Sequence, residues 1–272
     1  MLGLRRTASA LAARLGYPRA PWTALAAWRA GIGKPRTFII VTGAGRSGTS
    51  AVARVLHKSG LRMGRRFTPP TEFNALGYYE ELPVMLLNDR IVTECGMDQW
   101  GYWPSRAQVL EVAAKHAAEM DALASHCTSA GWKDPRFCIT LEAWLPRLPA
   151  KPKVIVCLRN PQALVESALR HYGVSDVAEA RSASEATWEH WYGRLLEFIR
   201  DFELEATSVD YDELLDRPEE AVAALSRFVG CRLSPKYLQR QLRHHSGSVP
   251  ERYAQLYDAV KSLGRPTGAA SG

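Results

Sequence analysis

The 272-residue sequence contains no CxxC pair. Its five cysteines, Cys95, Cys127, Cys138, Cys157 and Cys231, stand singly, which argues against a zinc ribbon or a disulfide framework and favours a reducing compartment. Nor does any apolar run approach the roughly 18 residues needed to cross a bilayer; the longest clear ones are 38–41 and 154–158. A soluble, cytoplasmic protein is the expectation. A third absence is of acid: no Asp or Glu precedes Glu72, while thirteen Lys and Arg fall in that stretch, so with a net charge of +7 the remainder carries 7 − 13 = −6. A local positive excess beside an ordinary remainder suits one anionic ligand near the N-terminal element. It does not suit a nucleic-acid track along the whole surface, and the aromatics that would interleave such a track are missing.

What is present is the composition of a globular protein, 46% hydrophobic and 23% charged, long enough for one sizeable core. Residues 1–36 read as a basic, helical N-terminal extension. It resembles a transit peptide or an amphipathic helix making peripheral membrane contact, with packing on the protein's own body as the alternative. Residues 37–247 form the expected main domain, and 248–272 a C-terminal helix with a flexible tail. Strands are expected at 37–41 and 154–158, both apolar and β-branched as befits burial on two faces, with a weaker one at 207–211. Helices are expected over about 105–125, 185–202 and 218–229, with a short one near 84–92. Strands alternating with helices imply a parallel, three-layer α/β fold.

The first strand runs directly into Gly43-Ala44-Gly45-Arg46-Ser47-Gly48-Thr49-Ser50, and apolar residues then recur at helical spacing until Gly60. Strand, glycine-rich loop and helix together aim backbone N–H groups and a helix N-terminus at an anion. The loop fits the frame GxxxxGK[ST] except that Thr49 stands where an ATP enzyme carries its lysine. A magnesium triphosphate enzyme also needs a carboxylate at the end of a second strand, yet the second strand here ends in Arg159-Asn160-Pro161.

These residues resemble the P-loop sulfotransferases that use 3′-phosphoadenosine 5′-phosphosulfate, over roughly 37–229. Arg46-Ser47-Gly48-Thr49-Ser50 is similar to that family's K/R-S-G-T-[ST] loop. Arg159-Asn160-Pro161 with Ser167 eight residues after the arginine is similar to its second signature. The resemblance implies a donor site of Gly45, Arg46, Ser47, Gly48, Thr49 and Ser50 for the 5′-phosphate side and Arg159 with Ser167 for the 3′-phosphate. It further implies Tyr211, in Asp210-Tyr211-Asp212-Glu213-Leu214, as an adenine neighbour. The segment 132–136, Trp-Lys-Asp-Pro-Arg, resembles a loop facing the transferred group in bacterial members. The C-terminal glycine-rich basic loop of animal members has no clear counterpart; residues 243–247 are a weak substitute.

The implied chemistry is in-line transfer of a sulfuryl group to a hydroxyl or amine of a glycan, phenol or lipid acceptor, leaving adenosine 3′,5′-bisphosphate, with no metal required. Arg46 would stabilise charge on the leaving phosphate. Glu80, in an Asn-x-x-Gly-Tyr-Tyr-Glu segment, is the first candidate general base and Asp134 the second, with Lys133 beside it to neutralise the sulfuryl oxygens. The aromatic-rich stretch 78–103, with Trp188 or Trp191 closing it, would line the acceptor pocket. A P-loop kinase and a non-catalytic nucleotide-binding module are the alternatives.

Overall fold

A computed structural model describes residues 37–72, 74–97, 103–172, 177–238 and 249–264. The expected N-terminal extension, the 243–247 segment, the 265–272 tail and the aromatics Trp100 and Tyr102 lie outside the described residues, as does the His171 side chain. Strands β1 (Phe38–Thr42), β2 (Gly131–Lys133), β3 (Pro152–Leu158) and β4 (Glu205–Asp210) form one sheet in the order β2-β1-β3-β4. Every pairing is parallel, with Ile40 opposite Trp132 on one side and Val154 on the other.

Alternate residues of the central strands feed separate cores. Phe38, Ile40, Val154, Val156 and Leu158 face one cluster and Ile39, Val41, Ile155 and Cys157 the other. Burial on both faces is why these strands are continuously apolar rather than alternating. The second cluster is closed by α1 (Thr49–Lys58), α8 (Tyr211–Asp216) and α9 (Pro218–Val229). The first is closed by α2 (Leu82–Glu94), α3 (Arg106–Lys115), α4 (Ala117–Ser125), α5 (Phe137–Trp144), α6 (Pro161–Tyr172), α7 (Val177–Asp201) and α10 (Glu251–Lys261). The result is the expected three-layer α/β/α architecture.

Several boundaries differ from expectation for identifiable reasons. The single helix expected at 105–125 is two, broken at His116, whose backbone leaves helical geometry and whose ring meets Glu94 at 2.9 Å. Ser105 starts α3 with a reciprocal capping box to Gln108, which satisfies two of the free backbone donors at the helix start. Helix α7 begins at Val177 rather than near 185, because the Ala-, Ser- and Glu-rich run before it carries no helix breaker. Tyr211, expected to end the last strand, instead opens α8, which runs to Asp216 and is capped by Asp210.

The order β2-β1-β3-β4 places a topological switch between β1 and β3, where successive connections leave to opposite sides. A crevice opens at the carboxyl ends of the strands at such a point. Residues 43–50 follow β1 and Arg159 follows β3, so the two sequence signatures meet there.

Candidate active site

The loop after β1 is shaped by unusual backbone. Gly43 has φ 142°, Arg46 φ 71° and Gly48 φ 92°. A Cβ on Gly43 would lie 2.2 Å from the Cys157 carbonyl oxygen, so this position accepts only glycine. Arg46 holds the left-handed region with a full side chain, which costs about 1–2 kcal/mol and is characteristic of binding loops. Helix α1 then starts at Thr49 with no capping side chain and no acid in its first turn. Its end therefore offers N–H groups and positive dipole potential to an anion.

On one flank of this loop the structure gathers residues expected on the donor side. Arg46 Nε donates to Ser167 Oγ at 3.3 Å, and Arg159 Nη1 donates to the Arg46 carbonyl at 3.1 Å. The Arg159 guanidinium stacks 4.9 Å above the Tyr211 ring. Tyr211 in turn lies on the loop, because a Cβ on Gly48 would sit 2.2 Å from its Cδ2. Burial pushes the Tyr211 phenol up, while the Arg159 and Arg46 charges draw it down. Gly45, Arg46, Gly48 and Ser50 are partly accessible, and Ser47 and Thr49 are buried.

On the other flank, Ser50 Oγ receives Lys133 Nζ and Asn74 Nδ2, each at 3.4 Å. Lys133 at the end of β2 makes a 2.5 Å ion pair with Glu80, their side chains 2% and 9% exposed. Glu80 is held by short bridges: Thr68 N–H donates to its carbonyl, and Leu82 N–H to that of Arg66. Tyr79 just before it adopts φ 57° and packs its ring against Phe67 and His57. His57 accepts from Met63 N–H, and burial with Lys58 and Arg62 nearby holds its imidazole below the usual range. It supports the segment as a neutral ring.

Asp134 is placed apart from Lys133, its neighbour in sequence. It is fully buried, with Oδ1 accepting from Arg136 N–H and Nη1 and Oδ2 from Asn88 Nδ2 at 3.0 Å. Burial pushes its carboxyl up, and Arg136 pulls the other way. Consecutive residues at a strand end point to opposite faces, which sends Lys133 to the crevice and Asp134 inward. Asp134 thus fixes the 134–136 turn, where Arg136 also reaches Asp89. Trp188 and Trp191 are both buried in the first core cluster. Trp188 is inaccessible and its Nε1 donates to the Arg159 carbonyl at 3.1 Å.

Two residues escaped the sequence reading. Asn88 accepts from Thr140 and Trp144 while donating to Asp134, and a lone amide on the apolar stripe of α2 was its only signal. Tyr192 donates to the Cys157 carbonyl at 2.5 Å from within α7; nothing in the chain order marks it. Among the described residues, no cluster of three or more His, Cys, Asp or Glu side chains could hold a metal ion, and no helix is long and apolar enough to cross a membrane.

A parallel three-layer sheet with a glycine-rich anion loop at its switch point defines an α/β protein of P-loop architecture. Within that class the model of the Sulfotransferase family matches residues 38–235, well over half the sequence, and the chain belongs to that family. No curated protein matches it. Among solved structures it is similar to the sulfotransferase domain from the curacin biosynthetic pathway, at 17% identity and a TM-score of 0.45, covering 88% of this chain and 95% of that one. It is also similar to the sulfotransferase STF1 of Mycobacterium tuberculosis H37Rv, at 16% identity and a TM-score of 0.45, covering 84% and 78%.

Proposed function

We propose that the protein moves a sulfuryl group from 3′-phosphoadenosine 5′-phosphosulfate to a hydroxyl or amine of a glycan, phenol or lipid acceptor, without a metal. One observation carries this reading: Arg46, Ser167, Arg159 and Tyr211, spread over more than 160 residues of sequence, converge on the Gly48 turn. Two guanidinium groups and a hydroxyl beside an uncapped helix start suit a nucleotide with phosphate on both sides of its ribose. The Tyr211 face, already under a cation, suits its base.

In this reading the N–H groups of 45–50, with Arg46 and the Thr49 and Ser50 hydroxyls, hold the 5′-phosphate and stabilise the charge that grows there as the sulfur–oxygen bond breaks. Arg159 and Ser167 hold the 3′-phosphate. Lys133, aimed at Ser50, neutralises the sulfuryl oxygens, and Glu80 takes the acceptor proton as the new bond to sulfur forms. Asp134 serves as a positioning residue for the turn that carries Lys133. In this reading the acceptor lies on the Glu80 side of the loop.

The test is ligand selectivity and product. Adenosine 3′,5′-bisphosphate should raise the melting temperature where ATP with magnesium does not. Incubation with labelled donor and extracts of glycans, phenols and lipids should yield sulfated product by mass spectrometry. A preference for magnesium triphosphate would overturn the reading in favour of a kinase.

A further inference from the structure

Helix α10 packs against β3, β4 and α7 on the side of the sheet opposite α1. Its Tyr257 hydroxyl donates to Asp210 Oδ2, a carboxylate oxygen that also lies 3.5 Å from Lys261 Nζ. The other oxygen of Asp210 accepts the N–H groups of Asp212 and Glu213 at 2.9 and 3.1 Å, capping α8. Tyr211 is the first residue of that helix, and its ring covers Gly48. One turn earlier on α10, Tyr253 packs 5.4 Å from Trp188, whose indole holds the Arg159 carbonyl. A single helix therefore reaches two donor-side residues by separate routes.

We propose that α10 is a brace for the donor half of the site, with Tyr257 a positioning residue that acts through Asp210 on Tyr211 and the Gly48 turn. This rests on the reading of that half as the nucleotide site. The physical basis is the demand of a buried carboxylate for donors on all sides. Asp210 is only 6% exposed, and its plane is set jointly by the α8 amides, Tyr257 and Lys261. Removing the Tyr257 hydroxyl leaves that oxygen with the longer Lys261 contact alone, which loosens the first turn of α8 and with it the ring on which the glycine loop rests. Burial and the hydrogen bond to Asp210 hold the Tyr257 phenol far above its ordinary range.

Hydrogen exchange on the full chain without nucleotide tests the brace directly. Tyr257→Phe should speed amide exchange at least about tenfold in both 210–216 and 43–50, as expected for loss of one charge-assisted hydrogen bond. Asp210→Asn should do the same. Val112→Ala, a core truncation in α3, should destabilise without that effect at 43–50. Affinity for adenosine 3′,5′-bisphosphate should fall by a similar factor in Tyr257→Phe while the acceptor KM holds. Unchanged exchange at 43–50 in both variants overturns the brace, and if wild type still binds the bisphosphate the donor reading survives. Faster exchange there, in a protein whose wild type ignores the bisphosphate, supports the brace and removes the donor reading instead.

Discussion

Replacing Lys133 by Met isolates the ion pair that joins β2 to the segment carrying Glu80. The methionine keeps the length and most of the packing of the lysine stem while removing the ammonium. Glu80, with its side chain 9% exposed and its Oε1 held by Lys133 at 2.5 Å, then loses its ion-pair partner in a largely buried setting. Breaking a buried pair from one side costs about 3–5 kcal/mol. Taking the lower value, because the Glu80 carboxylate is not wholly enclosed, the loss is about 3 kcal/mol, or roughly 6–12 °C in melting temperature for a chain of this size. Calorimetry at pH 8 measures it. In Lys133→Met/Glu80→Gln, with neither charge present, at least half of the loss should return, giving a coupling energy above the scatter of independent sites. A single variant that melts within about 1 °C of wild type would refute the assignment of Glu80 and Lys133 as a structural unit.

Other outcomes follow from the same geometry. Arg46→Ala should lower kcat about 10²–10³-fold, the usual effect of removing one group that stabilises developing charge; unchanged turnover would remove it from the chemistry. Glu80→Gln should lower kcat by about 10²–10⁴-fold with bisphosphate affinity nearly intact, and retained activity would transfer the role of base elsewhere. Gly48→Ala places a methyl group 2.2 Å from the Tyr211 ring at φ 92°. It should weaken bisphosphate binding more than about tenfold through displacement of the ring and about 1–2 kcal/mol of left-handed strain; calorimetric titration showing wild-type affinity would mean that the ring does not cover the turn in solution.

The loop after β1 and the Arg159–Ser167 spacing were legible because their chemistry is written in contiguous residues: glycines where the backbone must turn, a strand end, a helix start. The parallel architecture was legible from apolar runs too unbroken for a half-exposed sheet. The partner of Lys133 was not, because the choice between Asp134 beside it and Glu80 fifty-three residues away depends on which side of a strand end each faces. Trp188 and Trp191 illustrate a second limit. An aromatic on a helix reads the same whether it lines a pocket or holds a carbonyl in the core, and only packing separates the two. The break at His116 and the Asp210–Tyr257 tie join segments distant in sequence, which leave no periodic trace.

The position of β1 in the middle of the sheet, with β3 and β4 to one side and β2 to the other, divides the molecule's duties along a seam. Arg159, Ser167 and Tyr211 follow β3 and β4, whereas the Glu80–Lys133 pair belongs to β2 and to the excursion between α1 and α2. Under the proposed function, insertions or substitutions in that excursion would recast the acceptor while the donor half is inherited unaltered.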